Sequence, residues 1–118
     1  MSRLYVMAWH LTQSVSGDAM GNLAGTYSRL GRYQDALALQ EKTLEFRQRV
    51  LPENHPSVGL TCFNLSTSHR QVGDFHRAMA RARDALRIWQ ATLPPSHSHV
   101  RNAEERVRQI EHDLSLRA

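Results

Sequence analysis

The chain repeats itself once, and this repetition constrains its fold more than any other feature of the sequence. Residues 16–57 align with residues 58–99 without a gap, at a constant offset of 42 residues. Eleven of the 42 positions are identical. Repeats of this length are typical of solenoids and propellers, in which each unit buries its apolar face against the next. The identical pairs are Gly17/Gly59, Asn22/Asn64, Leu23/Leu65, Gly31/Gly73, Ala36/Ala78, Ala38/Ala80, Leu44/Leu86, Gln48/Gln90, Leu51/Leu93, Pro52/Pro94 and His55/His97.

Each unit is predicted to form two helices. Apolar residues recur at helical spacing, whereas the alternation and the tight Asn-Gly or Asp-Gly turns of a β-hairpin are absent from the sequence. Gly31 and Gly73 are expected to end the first helix of each unit, because glycine adopts the left-handed conformation freely. Pro52 stops the second helix, and Pro56 suits the first position of the next one. The helices are predicted at residues 16–30, 33–51, 56–72 and 75–93.

The second helix of unit one carries two apolar stripes. A solenoid helix needs both, because it packs against the partner helix of its own unit and against the next unit. The first stripe is Tyr33, Ala36, Leu37 and Leu44, and the second is Leu39, Thr43, Phe46 and Val50.

A single helix is expected at each end of the repeated region. Residues 100–118 combine one apolar stripe with a charged face, which is typical of a helix that caps a solenoid. The predicted organisation is therefore an N-terminal helix or cap (1–15), unit one (16–57), unit two (58–99) and a C-terminal capping helix (100–118). The stripe of the last helix is Val100, Ala103, Val107, Ile110 and Leu114.

Composition is that of one soluble domain. The 118 residues are 41% hydrophobic and 22% charged, and no apolar run approaches the roughly 18–20 residues that a membrane span needs. The first residues lack a convincing signal-peptide cleavage site, so we expect a cytoplasmic protein that does not associate with membranes. The single cysteine, Cys62, fits a reducing compartment and is expected to be a buried structural thiol.

No catalytic or cofactor motif is present in the sequence. It has no phosphate loop, no Gly-x-Ser-x-Gly and no His-Glu-x-x-His. His97 and His99, with His55, could supply metal ligands, but His55 and His97 lie at matching turns, which explains them structurally. We therefore expect no enzymatic activity, no cofactor and no metal site.

The net charge of +4 is mild, and 14 of the 15 basic residues are arginine. Such a balance favours acidic partners without requiring them. Four of the arginines share one predicted helix, where two acidic residues partly neutralise them. A solvated helix face is the favoured interpretation, and nucleic acid binding is the weaker alternative. The arginines are Arg77, Arg81, Arg83 and Arg87, and the acidic residues are Asp74 and Asp84.

The residues around the first glycine resemble the tetratricopeptide repeat. They match the pattern L-A-x-x-Y-x-x-L-G-x-Y-x-x-A at Leu23-Ala24, Tyr27, Leu30-Gly31, Tyr33 and Ala36.

The second unit keeps part of this pattern and departs from it elsewhere. Ser66 and His69 stand where alanine and tyrosine are usual in the family. The 42-residue period resembles the class with longer helices that is found in kinesin light chains, although Leu-Pro replaces the usual Leu-Gly at both junctions. The retained residues are Leu65, Gly73, Phe75 and Ala78.

The resemblance implies an all-α, right-handed superhelix of antiparallel helix pairs with a peptide-binding concave groove. In the kinesin light chain class, an asparagine just before the Leu-Ala pair faces this groove and can bond the backbone of a bound peptide. Asn22 and Asn64 occupy that position. The matching residue of the capping helix is Arg106, which could bind a peptide carboxylate. Bonding to a neighbouring helix is the alternative for the asparagines, and surface solvation is the alternative for the arginine.

The leading functional hypothesis is a protein interaction module that binds a partner peptide, favoured to be acidic, in this groove. A structural or self-assembling unit is the second hypothesis, since two units fall below the three or so that a stable solenoid usually needs. The chain would then form homo-oligomers or be a piece of a longer array. Nucleic acid binding through Arg81 and Arg87 is the weakest hypothesis.

Overall fold

The computed structural model describes residues 26, 27 and 29–117, and four long helices account for most of them. The predicted starts of the three helices at 33, 56 and 75 are confirmed, and each prediction ends one residue too late. The predicted segment 1–15 and nearly all of the helix predicted at 16–30 lie outside the described residues. The helices are α1 (Tyr33–Val50), α2 (Pro56–Gln71), α3 (Phe75–Thr92) and α4 (Ser98–Ser115).

Glycine and histidine mark the ends of the helices, as the repeat predicts. Gly31 and Gly73 have φ of +77° and +83°, the left-handed conformation that turns the chain out of a helix. At the start of α2, Nδ1 of His55 accepts a hydrogen bond from the backbone N–H of Ser57 at 3.1 Å. His97 repeats this cap at the start of α4, where its Nδ1 accepts from the N–H of His99. The inter-unit histidines are therefore helix caps.

Each helix packs against the next one along the chain, so α1 to α4 form a continuous stack. The main apolar core lies between α1, α2 and α3 and reaches the start of α4. A second cluster joins α3 to the C-terminal half of α4. This is the all-α solenoid expected from the sequence.

Trp89 connects three helices and is only 1% exposed. From α3 its indole Nε1 donates a hydrogen bond to the carbonyl of Pro56 at 3.1 Å. Its ring stacks on His99 at 4.6 Å between centroids and lies 5.7 Å from the ring of Phe63. Gly59 makes room for the indole, because a Cβ at that position would lie 2.5 Å from Nε1. Glycine is therefore required at residue 59 by close packing inside a helix.

Most residues of the two predicted stripes of α1 are buried. The predicted burial is wrong for one apolar residue and for one arginine. Val50 is 39% exposed, since it is the last residue of the helix. Arg47, which was not predicted to be buried, is 3% exposed. Its Nη1 donates to the carbonyl of Ser57 and to Oγ1 of Thr61, and these α2 acceptors allow the guanidinium to be buried.

The last helix is amphipathic in the predicted way. Its apolar stripe faces α3, with Val100, Ala103 and Ile110 buried. Four residues that are buried in α2 have charged equivalents in α4 at the 42-residue offset, so a further helix stacked on α4 would have to cover charged side chains at these positions. The boundaries of the two units stay predictions. The equivalent pairs are Gly59/Arg101, Cys62/Glu104, Ser66/Arg108 and His69/Glu111.

Candidate functional site

Two of the three predicted site residues lie in the part of the chain that the structure describes. Asn22 is not among the described residues. Asn64 lies half-buried on α2, and Arg106 lies half-buried on α4. Thr67, one helical turn after Asn64, accepts a hydrogen bond from Nη1 of Arg106. Arg106 therefore contacts α2 one helical turn from Asn64, at a junction that we call the α2–α4 seam. The seam consists of Asn64 together with the contacting residues Phe63, Ser66, Thr67 and Arg70 of α2 and Arg106, Gln109 and Asp113 of α4.

Arg106 is held by contacts on several sides, so the surface-solvation interpretation is wrong. Besides Thr67, Nη1 also donates to Oγ of Ser66 at 3.1 Å. Nε donates to Oε1 of Gln109 at 3.3 Å, and Cζ lies 4.5 Å from the centre of the Phe63 ring. All of these partners are uncharged. Within the described part of the chain, Nη2 has no hydrogen-bond acceptor and the guanidinium has no carboxylate partner.

The only carboxylate of the described seam is used by the other arginine. Nε of Arg70 donates to Oδ2 of Asp113 at 2.6 Å, and Nη1 donates to Gln109. Burial of the guanidinium, and then the positive charge of Arg70, lower the pKa of Arg106 from its ordinary value. The seam thus contains two arginines and one carboxylate, and the uncompensated positive charge belongs to Arg106.

Asn64 carries an amide one helical turn before Thr67 on α2. Among the described residues its side chain has no hydrogen-bond partner, so bonding to a described neighbouring helix does not explain it. An amide offers donors and an acceptor together, which suits the backbone of an extended peptide.

The sequence reasoning missed the residues that hold Arg106 in place. Ser66 stands out in the sequence only as a departure from the usual alanine, and no sequence pattern distinguishes Arg70 or Asp113. The repeat offset could have indicated the region of these contacts, because residues about 42 positions apart lie side by side on α2 and α4. Ser66 precedes Arg106 by 40 residues and Arg70 precedes Asp113 by 43, so neither pair lies at equivalent positions.

The arginines of α3 are mostly engaged with their neighbours. Nε of Arg77 lies 3.5 Å from Oδ2 of Asp74. In Arg81, Nη1 lies 3.4 Å from Oδ2 of Asp84, and Nη2 lies 3.7 Å from Oε2 of Glu41. Neighbouring carboxylates therefore partly neutralise Arg77 and Arg81, as the solvated-face interpretation expects.

Cys62 and the capping histidines offer little reactive chemistry. Cys62 is buried, as predicted, and burial, followed by the charge of Asp84, raises the pKa of its thiol to about 11. At neutral pH it is therefore a poor nucleophile. A neutral imidazole that accepts through Nδ1 carries its proton on Nε2, so His55 and His97 have no lone pair left for a metal. No three potential ligands of the described residues gather to bind a metal ion.

Within the described chain, no helix combines the length and apolarity needed to cross a bilayer.

Comparisons with known proteins agree on the repeat. A family model for the tetratricopeptide repeat matches residues 16–91. The Arabidopsis thaliana protein KINESIN LIGHT CHAIN-RELATED 3 is 27% identical over 70 residues, which cover 59% of this chain and 11% of the plant protein.

The crystal structure of nearly identical TPR-like repeats from a kinesin light chain protein of Podosopora anserina gives a TM-score of 0.79 at 19% identity. It matches 86% of this chain and 48% of its own, and a single-substitution variant gives the same values. The chain thus spans about half of those structures and about a tenth of the plant relative. At this identity the structural likeness establishes the fold. The family model covers more than half of the sequence, and this chain therefore belongs to the tetratricopeptide repeat family.

Proposed function

We propose that this protein interaction module binds an extended segment of a partner protein along the α2–α4 seam, and that the segment carries an acidic residue. Asn64 hydrogen-bonds the peptide backbone, and Arg106 binds the carboxylate. The observation that carries the proposal is the uncompensated charge of Arg106, half-buried beside Arg70 and bound only by neutral acceptors.

A carboxylate suits Arg106 for two reasons. Its Nη2 retains two N–H donors, and a hydrogen bond between a guanidinium and a carboxylate is stronger than one between neutral groups. A ligand anion would also offset the repulsion from Arg70, which Asp113 compensates only in part.

The amide of Asn64 supports a peptide as the ligand. Asparagine is a poor residue for the middle of a helix unless its side chain has a role. An amide can accept from one backbone N–H and donate to one backbone C=O of an extended chain. Asn22, at the equivalent place of unit one, is proposed to act in the same way on the next part of the peptide.

Self-assembly through the C-terminal end receives no support from α4. Stacking a further helix on its outer face would bury charged side chains where α2 buries Gly59, Cys62, Ser66 and His69. The affected residues are Arg101, Glu104, Arg108 and Glu111.

The test is selection from a displayed peptide library on the parent chain and on three single variants. Asn64→Ala and Arg106→Gln should lose the enriched peptides while keeping the parent's helicity and melting temperature. Arg101→Gln is the matched control, because it removes the same charge from the outer face of α4 and should keep the enrichment. A folded parent that enriches no peptide, or variants that enrich the same peptides as the parent, would contradict the proposal.

A further inference from the structure

We infer that Ser66 determines the acidic preference of the seam by holding Arg106 in its binding orientation. This inference rests on the proposed function and names the residue that gives the site its specificity. Ser66 is a positioning residue, because it lies at 0% exposure beneath the arginine and cannot reach a ligand itself.

The hydroxyl of Ser66 has one donor and two lone pairs, and its surroundings fix their directions. It donates its proton to the carbonyl of Phe63, one turn earlier on α2. Its lone pairs therefore face α4, where one accepts from Nη1 of Arg106 at 3.1 Å. Thr67 also lies within hydrogen-bonding distance of the same carbonyl and accepts from the same nitrogen.

The ring of Phe63 completes the support for the guanidinium. It lies under Cζ of Arg106 at 4.5 Å, and it packs on the buried ring of Trp89. An unrestrained arginine side chain loses rotamer entropy when a ligand fixes its orientation. Here the side chain is already restrained in the free protein. A ligand therefore binds an arginine that is oriented in advance, and less rotamer entropy is lost on binding.

Two residues that differ from their equivalents in the preceding unit are in contact with each other. Unit one has Ala24 at the place of Ser66, and both units have asparagine at the place of Arg106. The two changed residues, Ser66 and Arg106, are hydrogen-bonded to each other. With alanine at residue 66, Arg106 would lose one hydrogen-bond acceptor, although it would still be half-buried and repelled by Arg70. Arg106 therefore replaces an amide with a cation, and Ser66 supplies an acceptor that holds this cation in place.

Ser66→Ala tests the inference without threatening the fold, because alanine is smaller and already occupies the equivalent position of unit one. The probes are an acidic peptide enriched by the parent chain and the same peptide with its acidic residue replaced by the amide. We expect Ser66→Ala to bind the acidic peptide roughly five- to tenfold more weakly, which corresponds to the net contribution of one ordinary hydrogen bond. The affinity for the amide peptide should not change.

Ser68→Ala is the matched control. Ser68 is also buried on α2, but its hydroxyl donates to Gln40 of α1, on the opposite side from Arg106. This variant should keep the parent's ratio of the two affinities. An unchanged ratio in Ser66→Ala, or an equal loss in both serine variants, would overturn the inference.

A second readout needs no ligand. In a sample labelled with ¹⁵N-arginine, the Arg106 Nη1 protons should exchange faster in Ser66→Ala than in the parent chain, because Thr67 is then the only hydroxyl acceptor left for Nη1 among the described residues. Equal exchange rates in the two proteins would refute the positioning role. If the parent selected no peptide, the proposed function would fail, and this comparison alone would decide the role of Ser66.

Discussion

Replacing Gly59 by alanine should destabilise the protein, although alanine normally stabilises a helix. Gly59 lies within α2, and an alanine in a helix is worth about 1 kcal/mol over glycine. Here the added Cβ would lie 2.5 Å from Nε1 and 2.9 Å from Cδ1 of Trp89. The indole would have to move, and its hydrogen bond to Pro56 and its stacking on His99 would weaken.

The expected magnitude follows from these contacts. Overpacking of a core costs about 1–3 kcal/mol, and a weakened buried hydrogen bond adds roughly 1 kcal/mol. After the gain in helix propensity is subtracted, the net loss is about 2 kcal/mol. For a chain of this size that corresponds to a fall in melting temperature of about 8 °C.

The assay is thermal and urea unfolding followed by circular dichroism. Trp89 fluorescence, measured in a Trp9→Phe background, reports whether the indole has moved. Ala80→Gly on the exposed face of α3 is the control, and it should lose about 1 kcal/mol by propensity alone. An unfolding free energy for Gly59→Ala equal to or above that of the parent would refute the packing argument.

Three further predictions concern buried polar groups. The Cys62 thiol has a pKa of about 11 in the fold against 9.0 when unperturbed, so it stabilises the fold fully below pH 9. The unfolding free energy should fall by up to roughly 2–3 kcal/mol between pH 9 and 11, and pH-dependent urea unfolding of Cys62→Ala should lack this component. Arg47→Ala should lose about 2–4 kcal/mol in urea unfolding, because two α2 acceptors lose their buried donor. Asp113→Asn should lose about 1 kcal/mol, since its partner Arg70 is partly exposed, and the loss relative to the parent should shrink as salt is added.

The backbone of the described chain could be predicted almost completely from the sequence. The repeat supplied the register, and glycine and proline supplied the ends of the helices, because these signals act through local dihedral angles. The burial of Arg47 could not be predicted in the same way. It depends on acceptors that α2 presents 10 and 14 residues later, and no local pattern encodes them.

The candidate site could be predicted in position but not in detail. The repeat offset and the family resemblance led to Asn64 and Arg106, yet an offset can only compare equivalent positions. The contacts that fix Arg106 join non-equivalent residues on adjacent helices, so their partners depend on how α2 and α4 lie against each other. Ser66 appeared in the sequence only as a departure from the repeat pattern.

The most direct test of peptide binding is chemical-shift mapping of a library-selected acidic peptide on the ¹⁵N-labelled protein. The account predicts that the largest shifts occur at the side-chain amide of Asn64, the guanidinium of Arg106 and the backbone of the adjoining turns of α2 and α4. Shifts concentrated on the outer face of α3, or on the charged outer face of α4, would contradict it.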